Sequence, residues 1–247
     1  FAFDGCHELE AVTLPAGLKV LDSWSFEGCS GLEEIYIPET VETIGFGPFA
    51  SCSGLTTIEI SEENPYYCVD EAGVLFNKEM TELIQCPTGF RGVYTVPAGV
   101  TKIRDDSFYR CELEGITFPE GLKVIGSEAF AWTEIGGEIV IPVTVEEIQF
   151  RAFYQAIVSS IAIWNPDCEI GWDALYFGAI VYGYPGSQAE TETLYPATFI
   201  GHLPLNGVCY ICGASMDTEG ECGYDARWEL VYEEKGPTLY IRGTGDM

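Results

Sequence analysis

Four residues near the end of this chain have the types and spacing of a metal-ligand set: His202, Cys209, Cys212 and Cys222. The pattern H-x6-C-x2-C-x9-C could supply four zinc donors, because Cys-x-x-Cys is a recurring half-site of structural zinc. No second Cys-x-x-Cys accompanies it, and the histidine precedes a proline-containing stretch. A disulfide involving Cys222, or free thiols, is the competing reading and the one an extracellular setting favours. Redox work by Cys209 and Cys212 would need a βαβ context that the flanking residues do not provide. The set stays a zinc candidate, and no cofactor is expected.

Other reactive constellations are sparse. The second histidine, His7, stands beside Cys6, a pairing that invites nucleophilic catalysis. Ser30 and Ser53 take the same place in the following repeats, which makes His7 a solvent-facing filler. The sequence has no G-x-S-x-G, no H-E-x-x-H and no P-loop. Paired carboxylates could serve glycoside hydrolysis, yet among 39 Asp and Glu residues no pair is singled out. Glu33, Glu34 and Glu59 read as a solvated acidic stripe. No catalytic residue is assigned, and the chain is expected not to be an enzyme.

Charge narrows the partners. With 11 Lys and Arg against 39 Asp and Glu, the net charge is −28. Such a surface repels phosphate backbones and anionic membranes, so no nucleic-acid partner is expected. No run of about 18 apolar residues exists to span a bilayer, and no membrane insertion is expected. The 47 % hydrophobic content nevertheless suffices for a core.

Repetition organises the chain. Phe3, Phe26, Phe49, Phe108, Phe130 and Phe153 each open a unit, at intervals of 23, 23, 59, 22 and 23 residues. Each unit then places apolar residues as L-x-x-I-x-I, such as Leu32, Ile35 and Ile37, then Leu55, Ile58 and Ile60. The last two of each triplet have strand period. Pro15, Pro38, Pro119 and Pro142 follow the triplets and end the strands, because proline brings no N–H to a ladder. A V-x-x-I pair comes next, as in Val41 and Ile44 or Val145 and Ile148. One unit cannot bury both its apolar faces, but stacked units shelter like residues against like. Cys6, Cys29, Cys52 and Cys111 share one place in the repeat. Stacked at strand spacing their side chains run parallel, so they are expected as buried free thiols. Thr133 and Ala156 stand in that place later, where looser coils are expected. The outward strand positions are Thr13, Tyr36, Glu59, Thr117, Val140 and Ala162, with Glu34 nearby.

The unit F-x-x-C-x-x-L-x-x-I-x-I-P-x-x-V-x-x-I-G-x-x-A-F, written at 26–49 as FEGCSGLEEIYIPETVETIGFGPF, resembles the BspA-type leucine-rich repeats of bacterial surface proteins. The resemblance covers about residues 1–165. The interruption at about 61–96 resembles a variant that recurs in that family. On its own terms it alternates strands (66–69, 74–76, 82–85) with turns, an antiparallel hairpin set on the solenoid. Residues 166–204 look like the family's closing unit, with Ser187 and Glu190 as a capping box for a short helix. Residues 205–247 carry strand-like runs at 228–232 and 238–242 and resemble the start of a further, truncated module. The expected fold is therefore an α/β-type repeat solenoid of the leucine-rich kind over 1–204, mostly short β-strands with turns and short helices. A small β segment follows it.

By the same resemblance the chain is expected to be a non-catalytic bacterial protein, extracellular or on the cell surface. It would present a rigid face for adhesion to a protein or glycan, with host extracellular matrix among the candidate partners. Tyr36, Glu34, Glu59, Thr13 and Thr117 are the residues expected on that face. Tyr36 leads because an aromatic on a rigid outward position makes a good anchor. A structural spacer within a larger surface protein is the alternative. A carbohydrate-active enzyme is a third reading, and it lacks identifiable catalytic residues.

Overall fold

The computed structural model describes residues 2–183 and 187–193, together with strands at 198–201, 219–221, 226–233 and 236–243. The chain divides into two compact units, Phe1–Gly201 and His202–Met247. The first is a solenoid whose regular coils contribute to three ladders.

The L-x-x-I-x-I segments make the first ladder. Parallel strands Glu34–Ile37 and Thr57–Ile60 pair, as do Val93–Thr95 and Gly115–Thr117. Glu138–Ile141, Ser160–Ile163, Ile180–Gly183 and Thr198–Gly201 form a four-stranded parallel sheet. Ile35 lies against Ile58 and Ile37 against Ile60, because a one-residue slip would turn every apolar side chain to water. The V-x-x-I segments make the second ladder. Val20–Leu21 pairs with Thr43–Ile44, and Glu82–Gln85, Lys102–Ile103, Val124–Ile125, Glu147–Ile148 and Glu169–Ile170 run parallel in series. Gly45 and Gly126 follow such segments for want of space. A Cβ at Gly45 would lie 2.3 Å from the Ser23 amide nitrogen, and one at Gly126 2.7 Å from that of Asp105.

The third ladder is not a β-sheet. Two residues before the recurrent phenylalanine the backbone is left-handed, at Trp24, Asp106, Glu128 and Arg151, and again two residues after it, at Arg110, Trp132 and Gln155. The amides between point to the next coil: Phe26 donates to Pro48 O, Phe108 to Ala129 O, Phe130 to Ala152 O and Phe153 to Ala174 O. These inter-coil bonds replace the i→i−4 bonds of a helix, so the turns stay irregular. The one α-helix among the described residues is Gln188–Thr191, with Ser187 at its N-cap but no side-chain cap hydrogen bond. No helix among the described residues is long and apolar enough to cross a membrane.

Inside, the phenylalanines form columns of stacked rings. Phe130 lies 4.8 Å from Phe108 and 5.1 Å from Phe153, centroid to centroid, and Phe26 and Phe49 repeat the arrangement with an exposed Phe3 stacked on Phe26. The hairpin strands Tyr67–Val69, Leu75–Asn77 and Glu82–Gln85 are antiparallel, and the last of them joins the second ladder beside Lys102–Ile103. They stand between two halves of the core. Leu75 and Ile84 pack with the coils before them, while Val74, Phe76 and Leu83 pack with those after, as alternating strand faces require.

Two expectations about the repeat cysteine change. Cys29, Cys52 and Cys111 are buried free thiols, but Cys6 is exposed. The preceding coil is what covers this position, and Cys6 belongs to the first described coil. Nor are the later coils loose, since Thr133 is fully buried. Its Oγ1 donates to Phe108 O at 2.8 Å, as Cys52 Sγ donates to Phe26 O at 2.9 Å and Cys29 Sγ to Phe3 O at 3.1 Å. In these three coils a small donor bonds the carbonyl of the previous coil's phenylalanine, and either residue type provides one; Ala156 fills the same place by packing alone. Ala162, expected outward, is buried. In the second unit Glu219–Glu221, Ala226–Glu233 and Gly236–Gly243 form an antiparallel three-stranded sheet.

Candidate functional site

The outward side chains of the first coils gather into a groove. In the pair Glu34–Ile37 and Thr57–Ile60, Tyr36 is the register partner of Glu59, and Glu34 of Thr57. Ile35 and Ile58 point into the core from the same strands, 2 % and 1 % exposed, which holds the outward residues rigidly. One coil earlier the repeat brings Thr13 to the place of Tyr36. Ala11, Val12, Thr13 and Leu14 complete, with Glu34, Ile35, Tyr36 and Glu59, a groove of about 250 Å³. Tyr36 is 52 % exposed within it.

The structure thus brings four of the five expected face residues together. Thr117 lies elsewhere, on Gly115–Thr117, where its Oγ1 donates to Thr95 Oγ1 at 3.1 Å. The insertion separates these strands from the first sheet and breaks the face in two. The ion pairs of the described residues join Lys19 to Glu42, Arg91 to Glu112, Lys123 to Glu146 and Arg151 to Asp173, none of them in the groove. Glu34 and Glu59 thus stand outside the ion pairs of the described residues.

The zinc candidate His202, Cys209, Cys212 and Cys222 falls outside the described residues. Among the described residues no three His, Cys, Asp or Glu side chains converge closely enough to hold a metal ion. Burial pushes the thiols of Cys52 and Cys168 up to about 12. They are thus neutral thiols at physiological pH, and the thiolate is the nucleophilic form. His7 is exposed with Nδ1 2.7 Å from Gly28 O.

Sequence reasoning missed a ridge of aromatic and arginine side chains on the turn edge. The Arg151 guanidinium lies 4.8, 4.7 and 5.6 Å from the ring centroids of Phe150, Tyr154 and Trp172. Arg110 sits likewise over Tyr109 and Trp132. The signal was present in the residues flanking each recurrent phenylalanine, which vary in type but repeat in place.

A model of the BspA type leucine rich repeat region matches residues 1–71 and 93–179, with six copies in all. No curated protein matches the chain. Among solved structures, a leucine-rich repeat protein from Eubacterium ventriosum is similar with 22 % identity and a TM-score of 0.56, over 69 % of this chain and 54 % of that one. A leucine rich cell surface protein from Faecalibacterium prausnitzii is similar with 22 % identity and a TM-score of 0.52, over 81 % of this chain and 62 % of its own. The chain spans less than two thirds of either relative, and the likeness is one of fold.

Proposed function

Since the chain belongs to the BspA-type leucine-rich repeat family, we propose that it is a non-catalytic bacterial repeat protein, extracellular or on the cell surface, whose strand-face groove holds a macromolecular partner. The observation that carries this reading is the groove of Thr13, Glu34, Tyr36 and Glu59 on a rigid parallel pair. An exposed aromatic flanked by two carboxylates suits a partner that offers an apolar slot for the ring and a positive rim for the acids. A protein or glycan of the host extracellular matrix is the class of partner such a surface would meet. Surface placement is supported by the cell-surface description of the Faecalibacterium relative.

The test is capture by the immobilised full chain from an array of matrix proteins and glycans. The double variant Tyr36→Ala, Glu59→Lys should lose the captured partner, while Thr117→Ala should keep it. If the double variant captures everything the parent does, the groove reading fails and the repeats are a spacer.

A further inference from the structure

A second recess lies on the turn edge, where the insertion interrupts the third ladder. An ordinary coil passes from its V-x-x-I segment to the glycine that packs on the previous coil in ten residues, as from Ile44 to Gly54. The coil that carries the hairpin makes the same passage from Leu83 to Gly89 in six. Leu83 is in register with Ile103, which holds the same place as Ile44, and Gly89 packs on Ser53 O and Leu55 O as Gly54 packs on Ser30 O and Leu32 O. The shortened route omits the phenylalanine turn. Cys86 and Thr88 cut the corner beneath the surface, buried. The turns on either side therefore face each other across a notch of about 400 Å³.

Its walls combine two kinds of group. Trp24, Phe46 and Tyr109 supply aromatic surface, and Glu27, Asp105, Asp106 and Glu128 supply carboxylates. Asp106 is the most buried of these carboxylates, 7 % exposed. Its Oδ2 accepts the Trp24 indole N–H at 3.0 Å, a contact between residues 82 positions apart. Among the described residues no side-chain donor other than Trp24 reaches this carboxylate, and Asp106 lines the notch. Two arginines already stack on notch aromatics but make no ion pair with the notch carboxylates among the described residues. Arg104 lies over the Phe46 ring and donates to Ile44 O, and Arg110 lies over Tyr109 and Trp132. Gly47 stands in the left-handed place that Asp106, Glu128 and Arg151 take in other coils. A Cβ there would meet Asp106 Cβ at 2.9 Å and Trp24 Cδ1 at 3.1 Å, so the Trp24–Asp106 contact requires glycine below it.

We propose that this notch binds an organic ammonium group on an alkyl stem, the chemistry shared by a lysine side chain and a free alkylamine. Aromatic faces attract a cation, and a carboxylate lining the notch gains a charge-assisted hydrogen bond from an ammonium. The carboxylates are too dispersed to converge on a metal ion, but they ring a space of small-ligand size. The net charge of −28 draws cations toward the whole molecule. Burial first, and then the charges of Glu128, Asp105 and Glu27, hold the Asp106 carboxyl up at about 7 against the pull of the Trp24 N–H. A bound ammonium offsets that penalty. The site is distinct from the strand-face groove and stands or falls without it.

The test follows the indole N–H resonance of Trp24 in the full chain near pH 8, assigned by its loss in Trp24→Phe. Pentylamine and Nα-acetyl-lysine amide should each shift it saturably. 1-Pentanol, and calcium chloride at matched ionic strength, should not. Asp106→Asn, which keeps an acceptor for the indole, should weaken amine binding about tenfold. Gly47→Ala, which intrudes on the contact from below, should weaken it as well. A lysine-bearing peptide that binds more tightly than pentylamine, and loses this on acetylation, assigns the ligand to a partner's lysine; equal or weaker binding assigns it to free amines. The proposal is overturned if pentanol shifts the resonance as pentylamine does, or if Asp106→Asn binds amines as the parent does with its Trp24 resonance still dispersed.

Discussion

Asp106→Asn should make the protein more stable at neutral and alkaline pH, and the gain should depend on pH in a defined direction. An ordinary aspartate titrates at 3.8, whereas Asp106 in the folded chain titrates at about 7, chiefly through burial. Below about 3.8 the carboxyl is protonated in both the folded and the unfolded chain, and the group contributes its full stability. As pH rises, the unfolded chain releases this proton first, so the stability is lost progressively until pH passes about 7 and is absent above it. A difference of about three pKa units sets a ceiling of about 4 kcal/mol. Asparagine never ionises, its amide oxygen still accepts the Trp24 indole N–H, and it tolerates the left-handed backbone found at this position, φ +59°. Urea unfolding followed by tryptophan fluorescence, at pH values from about 4 to 8, compares the two proteins. Their midpoints should nearly coincide at the acid end and separate by the alkaline end, with the variant higher. Titration of carboxylates remote from Asp106 is common to both and cancels in the difference, while Glu27, Asp105 and Glu128, which are coupled to it, belong to the measured effect. A separation that does not change with pH, or a parent more stable than the variant at pH 8, would refute the reasoning.

Three further outcomes follow from the packing. Gly45→Ala should lower the unfolding midpoint sharply, because its Cβ would lie 2.3 Å from the Ser23 nitrogen, whereas Gly17→Ala, with nothing within 4 Å, should leave it unchanged or slightly raised. Thr133→Val should cost about 1 kcal/mol in denaturant titration by removing one of the two hydrogen bonds on the Phe108 carbonyl, which still accepts from the Cys111 N–H, and Thr133→Cys should recover most of that loss. In the native protein iodoacetamide should alkylate Cys6 readily but reach Cys29, Cys52 and Cys111 only after unfolding, as peptide mass spectrometry can read.

The repeat was legible because its signal is redundant. Every coil restates the phenylalanine, the L-x-x-I-x-I triplet and the V-x-x-I pair, and the ladder registers keep those residues opposite their copies. The groove was legible in part for the same reason, since Thr13, Glu34, Tyr36 and Glu59 follow from the repeat. Thr117 was misplaced with them because the sequence marks an insertion but does not say that its strands enter the core and split the face. The hydrogen-bonding demand at the cysteine position was hidden, since Thr133 shares with Cys52 a donor but not an appearance. The notch was beyond sequence reasoning altogether. It depends on a shortcut of four residues and on a contact between Trp24 and Asp106 that no local pattern announces.

The account rests most directly on the groove as the contact surface. Hydroxyl-radical footprinting of Tyr36, in the free full chain and with the partner captured from the array, measures that contact itself. The account predicts that Tyr36 is oxidised readily when free and protected when bound, while the exposed Trp172 on the turn edge is labelled equally in both. Equal labelling of Tyr36 in the free and bound states would contradict it.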